Sequence, residues 1–219
     1  MIWSGTFITF EGPDGSGKST QAGLLAQRLE SLGIDVVLTR EPGGTPLGER
    51  VRRVLLDRDG VRHAARADAL LFAAARAQHV DDVIWPALRR GAVVICDRYA
   101  DSTVAYQGYG SGVPLDRLRE LGAFATRGVR PNRTILLDVP VDAGLARRSA
   151  GEPEGLTRFE TADTFDAAFH ERVREGFLEL ARIEPTRWLV VDADRPADAI
   201  ARDVFGAIAE LLQLTHEAG

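Results

Sequence analysis

Gly12-Pro13-Asp14-Gly15-Ser16-Gly17-Lys18-Ser19 is the stretch from which the rest of the chain is read. An apolar, β-rich run (Phe7-Ile8-Thr9-Phe10) precedes it, and a helical pattern through Leu24, Leu25 and Leu29 follows. In that strand–loop–helix setting, the G-x-x-x-x-G-K-S spacing is a phosphate-binding loop. Glycines at 12, 15 and 17 open backbone conformations closed to residues with a Cβ, so that N–H groups converge on an anion. The helix beginning near Lys18 adds its unpaired donors and the positive end of its dipole. A donor nucleotide is therefore expected on Gly12, Pro13, Asp14, Gly15, Ser16, Gly17, Lys18, Ser19 and Thr20. Lys18 would reach the β/γ-phosphates and Ser19 would hold Mg²⁺ through its hydroxyl. Of the 27 basic residues, Lys18 is the only lysine. The bias toward arginine stops where a compact ammonium on a flexible stem is wanted. The expected ligand is a nucleoside triphosphate.

Composition sets the frame for that site. A chain of 219 residues suits one domain, spanning 1–219, with a large buried core. Apolar and charged fractions of 45% and 27% are those of an ordinary globular protein. A net charge of −5 gives no bulk attraction to nucleic acid or an anionic membrane, so an anionic substrate must be held by local arginines. The single cysteine, Cys96, excludes an internal disulfide and a cysteine-based zinc site, and within Val93-Val94-Ile95-Cys96 it reads as a small core hydrophobe. Met1-Ile2-Trp3-Ser4 lacks the basic start of a signal peptide, and no apolar run nears the ~18 residues of a membrane span. A cytoplasmic location is expected.

Along the chain, strands and helices alternate. A first helix runs to about Leu32 with Gly33 ending it, and Asp35 to Thr39 is a short strand leading into the turn-rich Arg40-Glu41-Pro42-Gly43-Gly44. Leu47 to Leu56 is helical, and Asp57-Arg58-Asp59-Gly60 is a charged turn. Arg66 to Arg90 reads as one long helix, with Pro86 as the place for a kink. Ala92 to Cys96 is a buried parallel strand with Asp97-Arg98-Tyr99 at its end. Tyr109 to Gly112 is expected to be a flexible loop before a helix from Pro114 to Arg127. Thr134 to Asp138 is the fourth strand, followed by a short helix through Arg148 and a loop-forming Gly151-Glu152-Pro153-Glu154-Gly155. A helix over 163–182, a strand from Trp188 to Asp192 and a helix over 197–214 complete the chain. Five strands alternating with helices give an α/β fold, a five-stranded parallel sheet with helices on both faces.

A phosphate loop is shared by switches, transporters and kinases. The base-reading N-K-x-D of a GTPase is absent, as is the L-S-G-G-Q of a transporter ATPase. What is present is a set of charges at strand ends. Asp97 stands where an acid near Mg²⁺ belongs, and Arg98 follows, placed to grip a second phosphate. Phe72 and Arg76 lie four apart on one helical face, a ring and a donor fork that suit a nucleobase with carbonyl oxygens.

Longer matches surround these residues. Asp97-Arg98-Tyr99-Ala100-Asp101-Ser102-Thr103-Val104-Ala105-Tyr106-Gln107 closely resembles the signature of bacterial thymidylate (dTMP) kinases. So do Phe10-Glu11-Gly12-Pro13-Asp14, Thr39-Arg40-Glu41-Pro42-Gly43-Gly44, Leu71-Phe72-Ala73-Ala74-Ala75-Arg76 and Leu136-Leu137-Asp138-Val139. The resemblance runs in order from about Phe7 to the C-terminus. It implies a nucleoside-monophosphate-kinase-like P-loop fold, ATP and Mg²⁺ as cofactors, dTMP as acceptor, and a homodimer with no nucleic-acid or membrane partner. It implies Asp14 at the 3′-hydroxyl of dTMP, Arg98 on its phosphate, and Glu41 and Arg52 lining the acceptor site. Phe72 would stack on thymine, Arg76 would bond O4, Thr103 and Gln107 would meet the base edge, and Tyr106 would crowd C2′. The lid, at about 149–162, departs from many relatives in reading Thr157-Arg158-Phe159-Glu160. Some thymidylate kinases carry a loop arginine where this chain has Gly15, which leaves Arg158 as the expected catalytic arginine. Either Arg147 or Arg148 would face the donor, and Arg148 is assigned to it. Another nucleoside-monophosphate kinase, a deoxynucleoside kinase with Glu41 as base, and a P-loop switch or binding module that hydrolyses ATP slowly remain the alternatives.

Overall fold

The computed structural model of the chain describes residues 4–57, 61–150 and 167–214. Five parallel strands are present: β1 (Thr6–Glu11), β2 (Val36–Arg40), β3 (Val93–Asp97), β4 (Arg133–Asp138) and β5 (Trp188–Asp192). Their order is β2-β3-β1-β4-β5, and central β1 places Ile8 beside Ile95 on one side and Arg133 on the other. The strands read as unbroken apolar runs because both faces are covered. Ile8, Phe10, Val93, Ile95, Ile135 and Leu137 share a core with Leu25 and Leu29 of α1 (Lys18–Ser31) and Ile200, Val204 and Ile208 of α9 (Ala197–Leu211). Phe7, Val94 and Cys96, one position out of step, belong to a separate core with Ile84 and Leu88. Each such fully buried side chain stabilises the fold by about 1.5–3 kcal/mol, which makes the sheet a rigid frame.

The remaining helices are α2 (Pro46–Leu56), α3 (Ala65–His79), α4 (Trp85–Arg89), α5 (Ala100–Thr103), α6 (Leu115–Thr126), α7 (Val141–Ser149) and α8 (Ala167–Ile183). Thr45 caps α2, its hydroxyl accepting the Gly48 N–H at 2.9 Å. The expected helix over 66–90 is α3 and α4 joined through a widened turn at Val80–Ile84, where the Trp85 N–H bonds Val80 O five residues back. A widened turn is one way for a helix to pass a proline, here Pro86, whose ring would meet a carbonyl four residues earlier.

Two expectations are corrected. Tyr109 and Gly110 are not loop: α5 continues as a widened helical run, Val104–Gly110, before the turn at Gly112. The reason is tertiary. A Cβ on Gly110 would stand 2.6 Å from the Phe169 ring of α8, so the glycine admits a neighbouring helix rather than breaking its own. The last helix stops at Leu211 rather than 214, because Gln213 turns left-handed (φ 54°) and the Leu214 N–H folds back to Ala209 O at 2.9 Å. Residues 58–60 of the charged turn lie outside the described residues. Among the described residues no helix is long and apolar enough to cross a membrane. The strands end at their carboxyl edge in Glu11, Arg40, Asp97, Asp138 and Asp192, which concentrates charge where open α/β sheets bind ligands.

Candidate active site

From Glu11 the chain enters the phosphate loop. Gly17 (φ 88°) has nothing within 4 Å of a built Cβ, so only its conformation demands glycine. At Gly15 (φ 75°) space demands it too, since a Cβ would lie 2.0 Å from Gly144 O. Lys18 Nζ donates to Pro13 O at 2.7 Å, Gly12 O at 3.1 Å and Ser16 Oγ at 3.2 Å. Burial and then the nearby Arg98 charge push its pKa down to about 8, against the pull of Asp14, Asp97 and Glu11. The Ser19 hydroxyl donates to Asp97 Oδ2, which joins the start of α1 to the end of β3. One hydroxyl and one carboxylate are hard oxygen donors of the kind Mg²⁺ takes alongside substrate phosphates. Among the described residues no three His, Cys, Asp or Glu side chains gather as a metal site, and magnesium bound largely by phosphates needs none.

Arg98 is held at every end. Its backbone is left-handed (φ 69°), with its N–H on Phe10 O at 2.9 Å and its carbonyl accepting Cys96 Sγ at 3.0 Å. The next N–H, of Tyr99, donates to Glu11 Oε1 at 2.8 Å, and the Ser102 hydroxyl donates to Glu11 Oε2 at 2.5 Å. Its Nη1 donates to Gly12 O and Ser102 Oγ, each at 3.2 Å. Its Nη2 donates to Asp14 Oδ1 at 2.5 Å and to Tyr106 Oη at 3.1 Å. Tyr106 in turn donates to Asp14 Oδ2 at 2.8 Å. Burial favours the neutral form of Asp14, but Arg98, Lys18 and the Tyr106 hydroxyl outweigh it and hold the pKa below the ordinary value. Glu11 goes the other way: burial and then Asp101 push its carboxyl up to about 8, despite the bonds from Ser102 and Tyr99.

Beyond this junction Glu41 anchors a second network. Arg76 Nε donates to Glu41 Oε2 at 2.7 Å and His79 Nδ1 meets Glu41 Oε1 at 3.0 Å, while His79 Nε2 meets Thr39 Oγ1 at 2.7 Å. Arg76 Nη2 donates to Tyr99 O at 3.0 Å and Thr103 Oγ1 at 3.2 Å. These are buried charges: Arg76, Glu41 and His79 have side chains 2%, 3% and 0% exposed. Arg52 Nη1 donates to Pro42 O at 2.9 Å, and burial and then Arg40 lower its pKa.

All of this surrounds one cavity of about 380 Å³. Asp14, Gly15, Gly17, Lys18, Ser19, Thr20 and Asp97 line its phosphate-loop end; Glu41, Arg52, Phe72, Arg98, Thr103, Tyr106 and Gln107 line the rest, with Arg148. Gly12, Pro13, Ser16 and Arg76 are not on its wall; Arg76 sits behind it, buried against Glu41. Arg148 and Arg147 separate: Arg148 faces the cavity, whereas Arg147 donates to Ala193 O at 2.8 Å and Asp194 Oδ1 at 2.6 Å. Arg158 and all but the first residues of the expected lid lie outside the described residues. Sequence reasoning gave no role to Glu11, His79, Ser102, Arg40 or Leu56. His79 had a signal, since it stands three residues from Arg76 on α3 and so shares its face. Glu11 and Ser102 had only their membership of quoted motifs.

The family model of thymidylate kinase matches residues 10–204. A thymidylate kinase of Thermomicrobium roseum is 51% identical over 213 residues, 97% of each chain. One from Deinococcus radiodurans is 50% identical over 207 residues, covering 94% of this chain and 97% of its own. Among solved structures, the thymidylate kinase of Ehrlichia chaffeensis shares the fold with a TM-score of 0.76 at 36% identity, over 94% of this chain and 99% of that one.

Proposed function

The chain belongs to the thymidylate kinase family, and on that premise we propose how its cavity moves the γ-phosphoryl group of ATP to dTMP. It is a dTMP kinase, giving dTDP and ADP on the way to dTTP. The observation that carries the site reading is Arg98, which bonds the phosphate loop at Gly12 O and, through Ser102 and Tyr106, the helical run bearing Thr103 and Gln107. Donor and acceptor ends are thereby tied to one guanidinium. Phosphoryl transfer needs alignment and charge neutralisation more than covalent help. Lys18 and the α1 N-terminus receive the ATP phosphates, and Arg98 receives the dTMP phosphate. Asp14 takes the 3′-hydroxyl, Phe72 stacks on thymine, and Thr103, Gln107 and, from behind Thr103, Arg76 meet the base edge. Arg52 and Glu41 border the acceptor phosphate, and Tyr106 closes the space beside C2′.

Ser19 and Asp97 are the residues that would hold Mg²⁺, which when bound neutralises phosphate charge. Arg148 serves the donor, and Arg158 supplies the further positive charge that Gly15 cannot. The whole of 1–219 acts as one kinase domain, with 149–162 as its lid. We place the enzyme in the cytoplasm as a homodimer; exposed Val54, Leu70 and Phe124 on α2, α3 and α6 offer apolar surface to a second copy, and sedimentation as a monomer would remove that assignment.

The test is a substrate panel with ATP in a coupled assay. One methyl is worth about 1–3 kcal/mol to a pocket, so dUMP should react about 10- to 100-fold less efficiently than dTMP. Cytosine turns an amine toward Arg76, so dCMP should be far poorer still. Equal kcat/KM for dCMP and dTMP would remove the role of Arg76, and acceptor-independent ATP hydrolysis would favour the switch alternative.

A further inference from the structure

Two backbones touch beside the donor end. A Cβ on Gly15 would meet Gly144 O at 2.0 Å, and a Cβ on Gly144 would meet Asp14 O at 2.5 Å and Val139 Cγ1 at 3.3 Å. The phosphate loop and α7 therefore approach with no room for a side chain on either. Not every helical glycine is so placed: Gly23, Gly122 and Gly206 have nothing within 4 Å of a built Cβ, whereas Gly110 and Gly176 admit neighbouring side chains and a Cβ on Gly48 would meet Gly43 O at 2.4 Å. Glycine inside a helix weakens it relative to alanine, so Gly144 is unfavourable for α7 by itself and is explained by the contact it allows. Four residues on, along the same helical face, stands Arg148, which lines the cavity. Arg147 fixes the helix from another side through Ala193 O and Asp194.

We propose that Gly144 is a positioning residue: its missing side chain seats α7 on the phosphate loop, and that seat aims Arg148 at the donor phosphates. The proposal rests on the donor role of Arg148 given above. Any side chain at 144 must lift α7 from the Asp14 carbonyl, because backbone cannot give as a flexible side chain can. A displacement of about 1 Å at a charge-neutralising group is enough to cost up to ~10²-fold in rate. The same contact explains why an arginine cannot stand at position 15 in this chain, so that α7 and the residues after it must bring the positive charge.

The experiment is a double-mutant cycle on Gly144→Ala and Arg148→Ala, read as kcat and KM for ATP at saturating dTMP. Gly144→Ala should lower kcat/KM for ATP about 10-fold and Arg148→Ala about 100-fold, with the double variant no worse than Arg148→Ala within a factor of about two, the non-additivity of groups that act together. Multiplying losses, or an unimpaired Gly144→Ala, overturns the proposal. So does an unimpaired Arg148→Ala. Dependence of wild-type turnover on dTMP is measured alongside and reports separately on the kinase reading. Should Gly144→Ala not fold, hydrogen exchange on the wild-type enzyme decides: ADP should protect amides of the loop and of α7 near Arg148 together, and protection of the loop alone overturns the seat.

Discussion

The donor end and the acceptor end of the cavity are built from different materials. Around Lys18 the contacts are mostly main chain: glycines at positive φ, the open first turn of α1, two loop carbonyls on the ammonium, and the backbone of Gly15 against that of Gly144. Around Arg76 and Arg98 they are mostly side chains, paired carboxylate to guanidinium to phenol or imidazole. Phosphate is the same in every nucleotide, and convergent N–H groups suffice for it. A base and a sugar must be discriminated, which takes fixed side-chain donors and acceptors. Fixing them in a buried place obliges each charge to have a partner.

This contrast can be broken in three ways, beginning with the largest effect. At the donor end, loss of positive charge should affect chemistry and little else. Lys18→Ala, and likewise Arg158→Ala, should lower kcat by about 10²- to 10³-fold, as removal of transition-state charge stabilisation typically does. Calorimetry should find dTMP affinity nearly unchanged and thermal melts a folded protein. Burial already disfavours the Lys18 charge, so its removal relieves a desolvation cost that offsets the donor lost by Pro13 O and Gly12 O. A large drop in dTMP affinity would mean the two ends are not separable.

At the acceptor end the same kind of deletion should strike stability. Glu41→Ala leaves Arg76 buried without its carboxylate and His79 without a partner at Nδ1. Breaking a buried ion pair costs about 3–5 kcal/mol, and about 3 is expected here because Glu41 borders the cavity. Urea unfolding would measure it, and a loss under about 1 kcal/mol would show the network to be effectively solvated.

Per pH unit, the smallest effect concerns the titration of Glu11. Glu11 ties the Arg98 turn through Tyr99 N–H and Ser102, and its carboxyl is pushed up to about 8 from an ordinary 4.5 by burial and Asp101. The folded state thus holds a proton that the unfolded chain has released above 4.5. Its contribution to stability is full below that pH and is lost as pH rises through about 8, by at most about 1.4 kcal/mol per pH unit. Melting temperatures from pH 5 to 8 should fall more steeply for wild type than for Glu11→Gln. Parallel profiles would show that Glu11 ionises at its ordinary value.

The amino-acid sequence by itself determined the phosphate loop, the five parallel strands and the class of ligand. Each depends on local chemistry: glycines where φ must be positive, apolar runs where both faces of a strand are covered, a lysine where an ammonium is wanted. Resemblance in longer motifs then carried the substrate. Only the tertiary structure decided that Tyr109 and Gly110 are helical, since the argument for glycine as a breaker fails once Phe169 needs the space above it. It alone separated Arg148 from Arg147, because adjacent residues on a helix point about 100° apart and no sequence pattern says which direction is the cavity. It alone joined Glu41 to Arg76 and His79, and Gly15 to Gly144. Those pairs are far apart in the chain, and their contact is set by how α3 and α7 pack on the sheet, a long-range outcome that no local spacing encodes.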